Sequence, residues 1–177
     1  MPDPHPPRAD AAAQARRPGA LRGVRQNPVP GAGILKVIAH VDGASRGNPG
    51  PAGFGVFMTT ERGETIEIAG FLGVTTNNVA EYSGLLEALS VAREEGATEV
   101  EIISDSLLLV NQMLGKYRVK HANLIPLYQK ARLIAHEFSR FSIRHTLRAG
   151  NKDADRLANL AVDRGGGRWV ERRRVGS

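Results

Sequence analysis

The hydrophobic pattern of this chain changes its period near Thr76, and that change limits the folds that the chain can adopt. Before it, apolar residues run continuously or alternate with period two, which is typical of strands. After it, segments with helical spacing alternate with further short apolar runs. The order βββαβααβα predicts an α/β domain with a mixed five-stranded sheet, antiparallel hairpins first and βαβ crossovers later, and helices on both faces.

The bounds of the predicted elements follow from local pattern and turn residues. We expect the helix after Thr76 to stop at Gly96, a second helix to begin with Ser104 as its N-cap, and the last helix to begin with Asn151 as its N-cap. The predicted strands cover 34–42, 52–60, 63–71, 98–104 and 141–147, and a further helix covers 123–138.

Composition limits the class of protein. The chain has 177 residues and no cysteine, so we expect one domain, without disulfides or a thiolate metal site. No apolar run approaches the roughly 20 residues of a membrane helix, and no signal-peptide pattern opens the chain. We therefore expect a cytoplasmic protein without membrane association, and a monomer. The predicted organisation is a disordered, basic Pro/Ala/Arg-rich tail over 1–33, a catalytic domain over 34–163 and an Arg/Gly-rich tail over 164–177.

Charge is segregated along the predicted domain. Residues 34–115 carry four basic and eleven acidic side chains, whereas 116–156 carry ten basic and three acidic ones. An acidic half joined to a basic half suits a metal-dependent reaction on a polyanion. Clustering of ordinary surface charge gives the same pattern, so the segregation does not by itself decide the function.

Four carboxylates lie at junctions between predicted elements, where α/β folds gather their chemistry. No cysteine cluster, histidine pair or serine elbow competes with them, and hard oxygen ligands favour Mg²⁺ or Mn²⁺. Taken singly, three have ordinary explanations as a turn residue, a residue after an N-cap and an acid in a first helical turn. Glu81 differs, because a carboxylate ahead of an apolar helical face needs a partner. The four are Asp42, Glu81, Asp105 and Asp155.

The sequences around these residues resemble those of type 1 ribonuclease H. DGASRGNPG begins at Asp42, TTNNVAE ends at Glu81, SDS surrounds Asp105 and NKDADRLA contains Asp155, all in that family's order. The resemblance, over about 35–163, implies the ribonuclease H-like fold and hydrolysis of the RNA strand of RNA/DNA hybrids, leaving 5′-phosphate and 3′-hydroxyl ends. It also implies that the four carboxylates hold two divalent ions, Mg²⁺ or Mn²⁺, with Asp42 bridging them.

The resemblance further implies contacts with the substrate. Short polar groups and close backbone suit the 2′-hydroxyls of an RNA minor groove, although turn and capping roles explain the same residue types. The family often has a flexible histidine before the last helix. We assign that position to Arg148 rather than to His145, which falls in a predicted strand. The implied substrate contacts are Gly43, Asn48, Thr76, Asn77 and Asn78.

A long basic, tryptophan-rich protrusion of some bacterial relatives is missing here. The corresponding stretch is only 115–123, GKYRVKHAN. Lys116, Arg118 and Lys120, with Tyr117, are predicted to contact the DNA backbone, since phosphate contacts need charge more than sequence. A solvated basic loop explains the same residues. We also expect the Arg-rich tails to add affinity that depends on salt.

Three alternatives stay open at this point. A related nuclease could also cut double-stranded RNA or RNA at an RNA–DNA junction, because reading an A-like minor groove does not require a DNA partner. A catalytically silent nucleic-acid-binding module would be expected to have lost a carboxylate. An integrase or resolvase of related fold is the third, since fold does not fix function, but the TTNN and GNPG segments favour ribonuclease H.

Overall fold

A computed structural model of the chain describes residues 33–174. The tail predicted over 1–33 lies, except for Gly33, outside the described residues. Within the described range, no helix is both long and apolar enough to cross a bilayer. The elements are β1 (Lys36–Ser45), β2 (Gly50–Thr60), β3 (Glu64–Thr75), α1 (Asn77–Glu94), β4 (Glu99–Ser104), α2 (Leu107–Met113), α3 (Ile125–Ala135), β5 (Arg140–His145), α4 (Lys152–Arg164) and β6 (Arg168–Arg174).

The strands form one mixed sheet in the order β5-β4-β1-β2-β3-β6. β1, β2 and β3 form an antiparallel meander, and β4 and β5 add in parallel on the other side of β1. Helix α1 connects β3 to β4, and α2 and α3 connect β4 to β5. The predicted α/β class, with early hairpins and later crossovers, is confirmed. β1 therefore lies inside the sheet, with its carboxyl end beside that of β4.

The sheet has six strands rather than the predicted five, because Arg168–Arg174 forms β6 where a tail was expected. β6 pairs antiparallel with β3. Trp169 packs against Ala69 of β3 and against α4. The strand is rich in arginine, yet its charge is compensated by acidic side chains of α1 and β3. These ion pairs join Arg168 to Glu87, Arg172 to Glu95 and Arg174 to Glu64.

Helices cover both faces of the sheet, as predicted. On one face α1 lies against β1 and β2, and α2 and α3 extend this layer into a single apolar core. Fully buried side chains such as Leu85, Leu89 and Val37 each stabilise the fold by about 1.5–3 kcal/mol. Leu85 and Leu89 of α1 therefore belong to the larger core.

On the opposite face α4 lies very close to β2. An added Cβ at Gly55 would stand 2.3 Å from the carbonyl oxygen of Ala154, and one at Gly53 would stand 2.7 Å from the Cβ of Ala161. Only glycine permits this approach, because larger side chains would push the helix away from the sheet. The close packing places the beginning of α4 against the carboxyl end of β1.

One predicted helix cap is wrong, and a second is confirmed in position but not in its hydrogen bond. Ser104 is the last residue of β4, and the N-cap of α2 is Ser106, whose hydroxyl accepts a 3.1 Å hydrogen bond from the N–H of Leu109. Asn151 does precede α4, but its side chain makes no capping hydrogen bond and points into the protein. Thr76 caps α1 by accepting a 3.2 Å bond from the N–H of Val79.

Candidate active site

Two of the four carboxylates lie where the parallel pairing of β1 with β4 ends. Val41 of β1 is aligned with Ser104 of β4, so Asp42 and Asp105 are the next residues along these strands. Asp42 is buried, with 6% of its surface exposed, and its Oδ1 accepts a 2.9 Å hydrogen bond from the N–H of Gly43. The register of the sheet thus brings the two carboxylates together.

Glu81 reaches the same place from the second turn of α1. Gly43 permits this, since an added Cβ there would lie 2.4 Å from the backbone nitrogen of Glu81. The Glu81 carboxylate accepts a 3.1 Å bond from the Asn77 side-chain amide and a further one from the Ser106 hydroxyl. These two donors orient the side chain toward Asp105.

Asp155 completes the group from the first turn of α4. Its carboxyl group lies beside that of Asp42 and helps to raise the pKa of Asp42. The side-chain amide of Asn159, one turn later, donates to the carbonyl oxygen of Asp155 at 2.9 Å and to its Oδ1 at 3.3 Å. The structure therefore assembles all four predicted carboxylates at one end of the sheet.

The donor set suits a hard divalent cation. Asp42, Glu81 and Asp105 each offer one carboxylate oxygen, and these three oxygens lie within 4.8 Å of one another. A cluster of carboxylates without sulfur or imidazole is the chemistry that Mg²⁺ and Mn²⁺ prefer. Asp42 belongs to this trio and is also the carboxylate beside Asp155.

The cluster accumulates negative charge in a partly buried place. Burial, followed by the repulsion of Asp105, raises the pKa of Asp42 to about 8, although the Gly43 N–H opposes the shift. Burial also raises the pKa of Glu81, against the stabilising hydrogen bonds from Ser106 and Asn77. The protein thus disfavours full ionisation of these groups, and a bound cation would relieve that penalty.

The carboxylates lie in an open cleft of about 560 Å³. Its rim includes His145, the last residue of β5, and Arg148, the first residue of the short 3₁₀ turn Arg148–Gly150. Both side chains are exposed. His145 and Arg148, the two candidates for the position of the family's flexible histidine, therefore both lie at the cleft. The lining residues are Asp42, Gly43, Ala44, Ser45, Asn77, Glu81, Asp105, His145, Thr146, Leu147, Arg148, Asp155 and Asn159.

The predicted substrate contacts surround the start of α1. The Asn48 side-chain oxygen accepts a 3.1 Å bond from the backbone N–H of Asn77, which ties the β1–β2 loop to the helix. Thr76 is engaged as the helix cap, whereas Asn78 is exposed. Gly43 and Asn77 line the cleft. Asn48 and Thr76 therefore both have the turn and capping roles that are ordinary for these residue types.

The basic loop lies apart from the cleft walls. Lys116, Arg118 and Lys120 are exposed between α2 and α3, and Tyr117 is half exposed. Among the described residues, none of these four lines the carboxylate cleft. Their predicted contact with a DNA backbone stays a prediction.

Three residues with a role at the site were missed by sequence reasoning. Ser106 was part of the SDS segment but was not assigned to Glu81, and Asn159 follows Asp155 by four residues, a helical spacing that could have indicated the contact. Asn151 was expected as a cap, and nothing local indicates that its amide reaches β1.

Known sequences and structures resemble this chain over the same region. A family described as reverse transcriptase-like matches residues 40–161. The bifunctional protein Rv2228c of Mycobacterium tuberculosis is 47% identical over 131 residues, which make up 73% of this chain. The match spans only 36% of the length of Rv2228c.

Solved structures agree with the sequence match. The N-terminal RNase H domain of Rv2228c, fused to maltose-binding protein, has a TM-score of 0.71 and 46% identity, covering 74% of this chain and 96% of that one. RNase H1 of Halobacterium salinarum has a TM-score of 0.69 and 39% identity, with 73% and 98% covered. LC11-RNase H1 in complex with an RNA/DNA hybrid has a TM-score of 0.68 and 42% identity, with 72% and 97% covered. By sequence, by fold and by the short loop between α2 and α3, this chain belongs to the type 1 ribonuclease H family, as a member without the long basic protrusion.

Proposed function

We propose that this protein is a metal-dependent endonuclease that hydrolyses the RNA strand of RNA/DNA hybrids and leaves 5′-phosphate and 3′-hydroxyl ends. The observation that carries the proposal is the trio of carboxylate oxygens from Asp42, Glu81 and Asp105, all within 4.8 Å of one another. Asp155 stands beside Asp42. Four carboxylates from four separate elements have no shared structural purpose, whereas they fit a site for two divalent ions.

The carboxylates would hold Mg²⁺, with Mn²⁺ as a substitute. Two such ions, when bound, lower the pKa of an attacking water and stabilise charge on the leaving oxygen. Asp42 would bridge the two positions, Glu81 and Asp105 would complete one, and Asp155 would complete the other. The hydrogen bonds from Asn77 and Ser106 keep the Glu81 carboxylate oriented before substrate arrives.

The rim of the cleft suits a polyanion with 2′-hydroxyls. Asn78 offers an exposed amide beside the cleft, and the Asn48 amide is held there by its bond to Asn77. Short amides of this kind can both donate to and accept from a ribose hydroxyl, which DNA lacks. LC11-RNase H1, a relative of 42% identity, is known in complex with an RNA/DNA hybrid, and that supports the same substrate here.

Basic residues outside the cleft would hold the DNA strand. Lys116, Arg118 and Lys120 project from the loop after α2 and are exposed to solvent. Their positive charge attracts the phosphates of a DNA strand whatever its base sequence. The arginines of 168–174 are a weaker source of affinity than expected, because they belong to β6 and form ion pairs. Added affinity from a basic tail is therefore tested by removing 1–33 alone.

We propose a cytoplasmic monomer.

The test compares end-labelled RNA/DNA hybrid, double-stranded RNA and double-stranded DNA, each with Mg²⁺ or Mn²⁺. Asp42→Asn keeps the shape of the side chain but removes its charge. Asp153→Asn is the matched control, since Asp153 is exposed in the same helical turn as Asp155 and does not line the cleft.

We expect the wild-type protein and Asp153→Asn to cut only the hybrid, and Asp42→Asn to lose cleavage by about 10³-fold or more. Cleavage of double-stranded RNA as well would establish the broader nuclease. Binding without cleavage by the wild-type protein would mean a silent nucleic-acid-binding module, and the proposal would be wrong.

A further inference from the structure

One buried amide joins the two elements that carry Asp42 and Asp155. Asn151 is 1% exposed, and its Nδ2 donates a 2.9 Å hydrogen bond to the carbonyl oxygen of Val41, the residue before Asp42. A carbonyl oxygen can only accept, so the nitrogen end of the amide must face it. The side chain therefore connects positions 110 residues apart in sequence.

The backbone of Asn151 holds the other carboxylate. Its carbonyl oxygen accepts a 3.0 Å hydrogen bond from the N–H of Asp155, the first turn of α4. Asn151 thus contacts the backbone beside Asp42 with its side chain and the backbone of Asp155 with its carbonyl oxygen.

An ordinary capping role does not account for this arrangement. The Asn151 side chain makes no capping hydrogen bond to α4. Among the described residues, its buried Oδ1 also has no hydrogen-bond partner. Keeping a buried amide that is only partly satisfied lowers stability, so the bond to Val41 is retained at some cost to the fold.

Apart from the ion pair between Arg156 and Glu67 of β3, the rest of the contact between α4 and the sheet is apolar. It is made largely by glycine in β2 and by alanine and leucine in α4, with Gly55 lying against Ala154 and Leu157. Such apolar surfaces resist separation but provide few directional contacts. The directed bond from Asn151 to Val41 fixes the beginning of α4 relative to the end of β1.

We propose that Asn151 is a positioning residue that sets the separation of Asp42 and Asp155 and thereby the affinity of this pair for a divalent cation. The inference rests on the proposed function, in which both carboxylates are metal ligands. Hydrogen-bonding residues behind metal ligands commonly change metal affinity or activity by about 10–100-fold when they are replaced.

The experiment compares Asn151→Ala and Asn151→Ser with Thr98→Val. Thr98 accepts a bond from the N–H of Leu35 beside the start of β4, at the opposite end of that strand, so its loss weakens the fold without touching the carboxylates. Binding of Mn²⁺ is measured by electron paramagnetic resonance on the full chain without substrate, well below each melting temperature. Cleavage of an RNA/DNA hybrid then gives kcat and KM separately.

We expect Asn151→Ala to bind Mn²⁺ about 10–100-fold more weakly, with kcat lowered and KM for the hybrid little changed. Asn151→Ser, whose hydroxyl is too short to reach the Val41 carbonyl in the same way, should show the same defect, and it decides the matter if the alanine variant does not fold. Thr98→Val should bind Mn²⁺ as the wild type does.

Wild-type Mn²⁺ affinity and kcat in a folded Asn151 variant would overturn the inference, because the residue would then matter only for stability. A failure of the proposed function would look different. The wild-type protein would not cut the hybrid at all, while the Mn²⁺ measurement would still show whether Asn151 positions the carboxylates.

Discussion

Asp42 and Asp105 lie side by side where the parallel pairing of β1 with β4 ends, because the aligned pair Val41 and Ser104 comes immediately before them. This proximity opposes ionisation. Burial and the charge of Asp105 together raise the pKa of Asp42 to about 8. The carboxylate pair is therefore a source of instability in the metal-free protein and of affinity in the presence of a cation.

The metal-free protein should lose stability as pH rises. The folded-state pKa of Asp42 is above its unfolded value, so its contribution is fully present below about pH 4 and is lost as pH rises through about 8. Glu81, with a raised pKa, acts in the same direction. Thermal unfolding in chelator between pH 5 and 9 measures the effect. Asp42→Asn should raise the melting temperature at pH 9 and change it little at pH 5, and saturating Mg²⁺ should stabilise the wild type more than the variant. A wild-type melting temperature that rises toward pH 9 would contradict the prediction.

Gly43→Ala should damage the site through the backbone. The new Cβ would meet the backbone nitrogen of Glu81 at 2.4 Å, so β1 and α1 must move apart. We expect a loss of about 1–3 kcal/mol in stability, and a larger proportional loss of hybrid cleavage because Glu81 moves away from Asp42. Gly166→Ala is the control, since no atom of residues 33–174 lies within 4 Å of a Cβ added there. Equal activity of the two variants would show that the close approach is not needed.

Trp169→Ala should destabilise the fold without altering the chemistry. Trp169 covers Ala69, Leu157 and Ala161, and its removal should lower the free energy of unfolding by about 1–3 kcal/mol in urea titrations. Arg173→Ala is the matched control, because its ion pair with Glu171 lies on the surface of the same strand and such pairs contribute about 0–1 kcal/mol. Cleavage per folded molecule should be unchanged in both. An undiminished free energy of unfolding in Trp169→Ala would mean that β6 adds little to stability.

Replacing Lys116, Arg118 and Lys120 with glutamine should weaken binding of the hybrid and flatten its dependence on salt. Each lost phosphate contact lowers the slope of log K against log salt by about 0.9 in magnitude. Fluorescence anisotropy with Asp42→Asn as the background measures binding without cleavage. Arg62→Gln serves as the control, since Arg62 is exposed in the turn between β2 and β3, away from the carboxylates. If the slope of log K against log salt is unchanged in the triple variant, the loop does not contact the hybrid.

Arg148→Ala should reduce turnover more than His145→Ala does. Both residues line the cleft, but the planar guanidinium can form two parallel hydrogen bonds to the phosphate of substrate or product. We expect a fall of roughly 10- to 100-fold in kcat for Arg148→Ala. Single-turnover and steady-state rates distinguish cleavage from product release. A larger effect of His145→Ala would reverse the assignment.

Much of this fold could be predicted because the informative signals are local. The change of period near Thr76 gave the order of strands and helices, and the four carboxylates were visible as acids at the ends of elements. Parallel strands then bring such residues to one edge of a sheet, whatever their separation in sequence. The proximity of Asp42 and Asp105 follows from this topology, whereas Glu81 joins them because Gly43 lets α1 approach β1.

The remaining features depend on tertiary contacts that no local pattern contains. Residues 168–174 have too many charges to be predicted as a strand, and their strand forms because acids of α1 and β3 face the arginines. Ser106 rather than Ser104 caps α2, because the helix begins at Leu107 and the Ser106 hydroxyl accepts the hydrogen bond from the N–H of Leu109. The side-chain amide of Asn151, just before α4, donates a hydrogen bond to Val41 of β1, which is 110 residues away in sequence.

The position of β6 has a consequence for solubility. β3 is 12 residues long and largely apolar, and as an outer strand it would offer its free backbone groups to other chains. β6 occupies that edge and replaces it with a strand in which five of seven residues are charged. A second sheet that paired with this edge would have to bury charged side chains, which discourages two copies of the protein from joining sheet to sheet. The arginines of β6 thereby protect the β3 side of the sheet against aggregation.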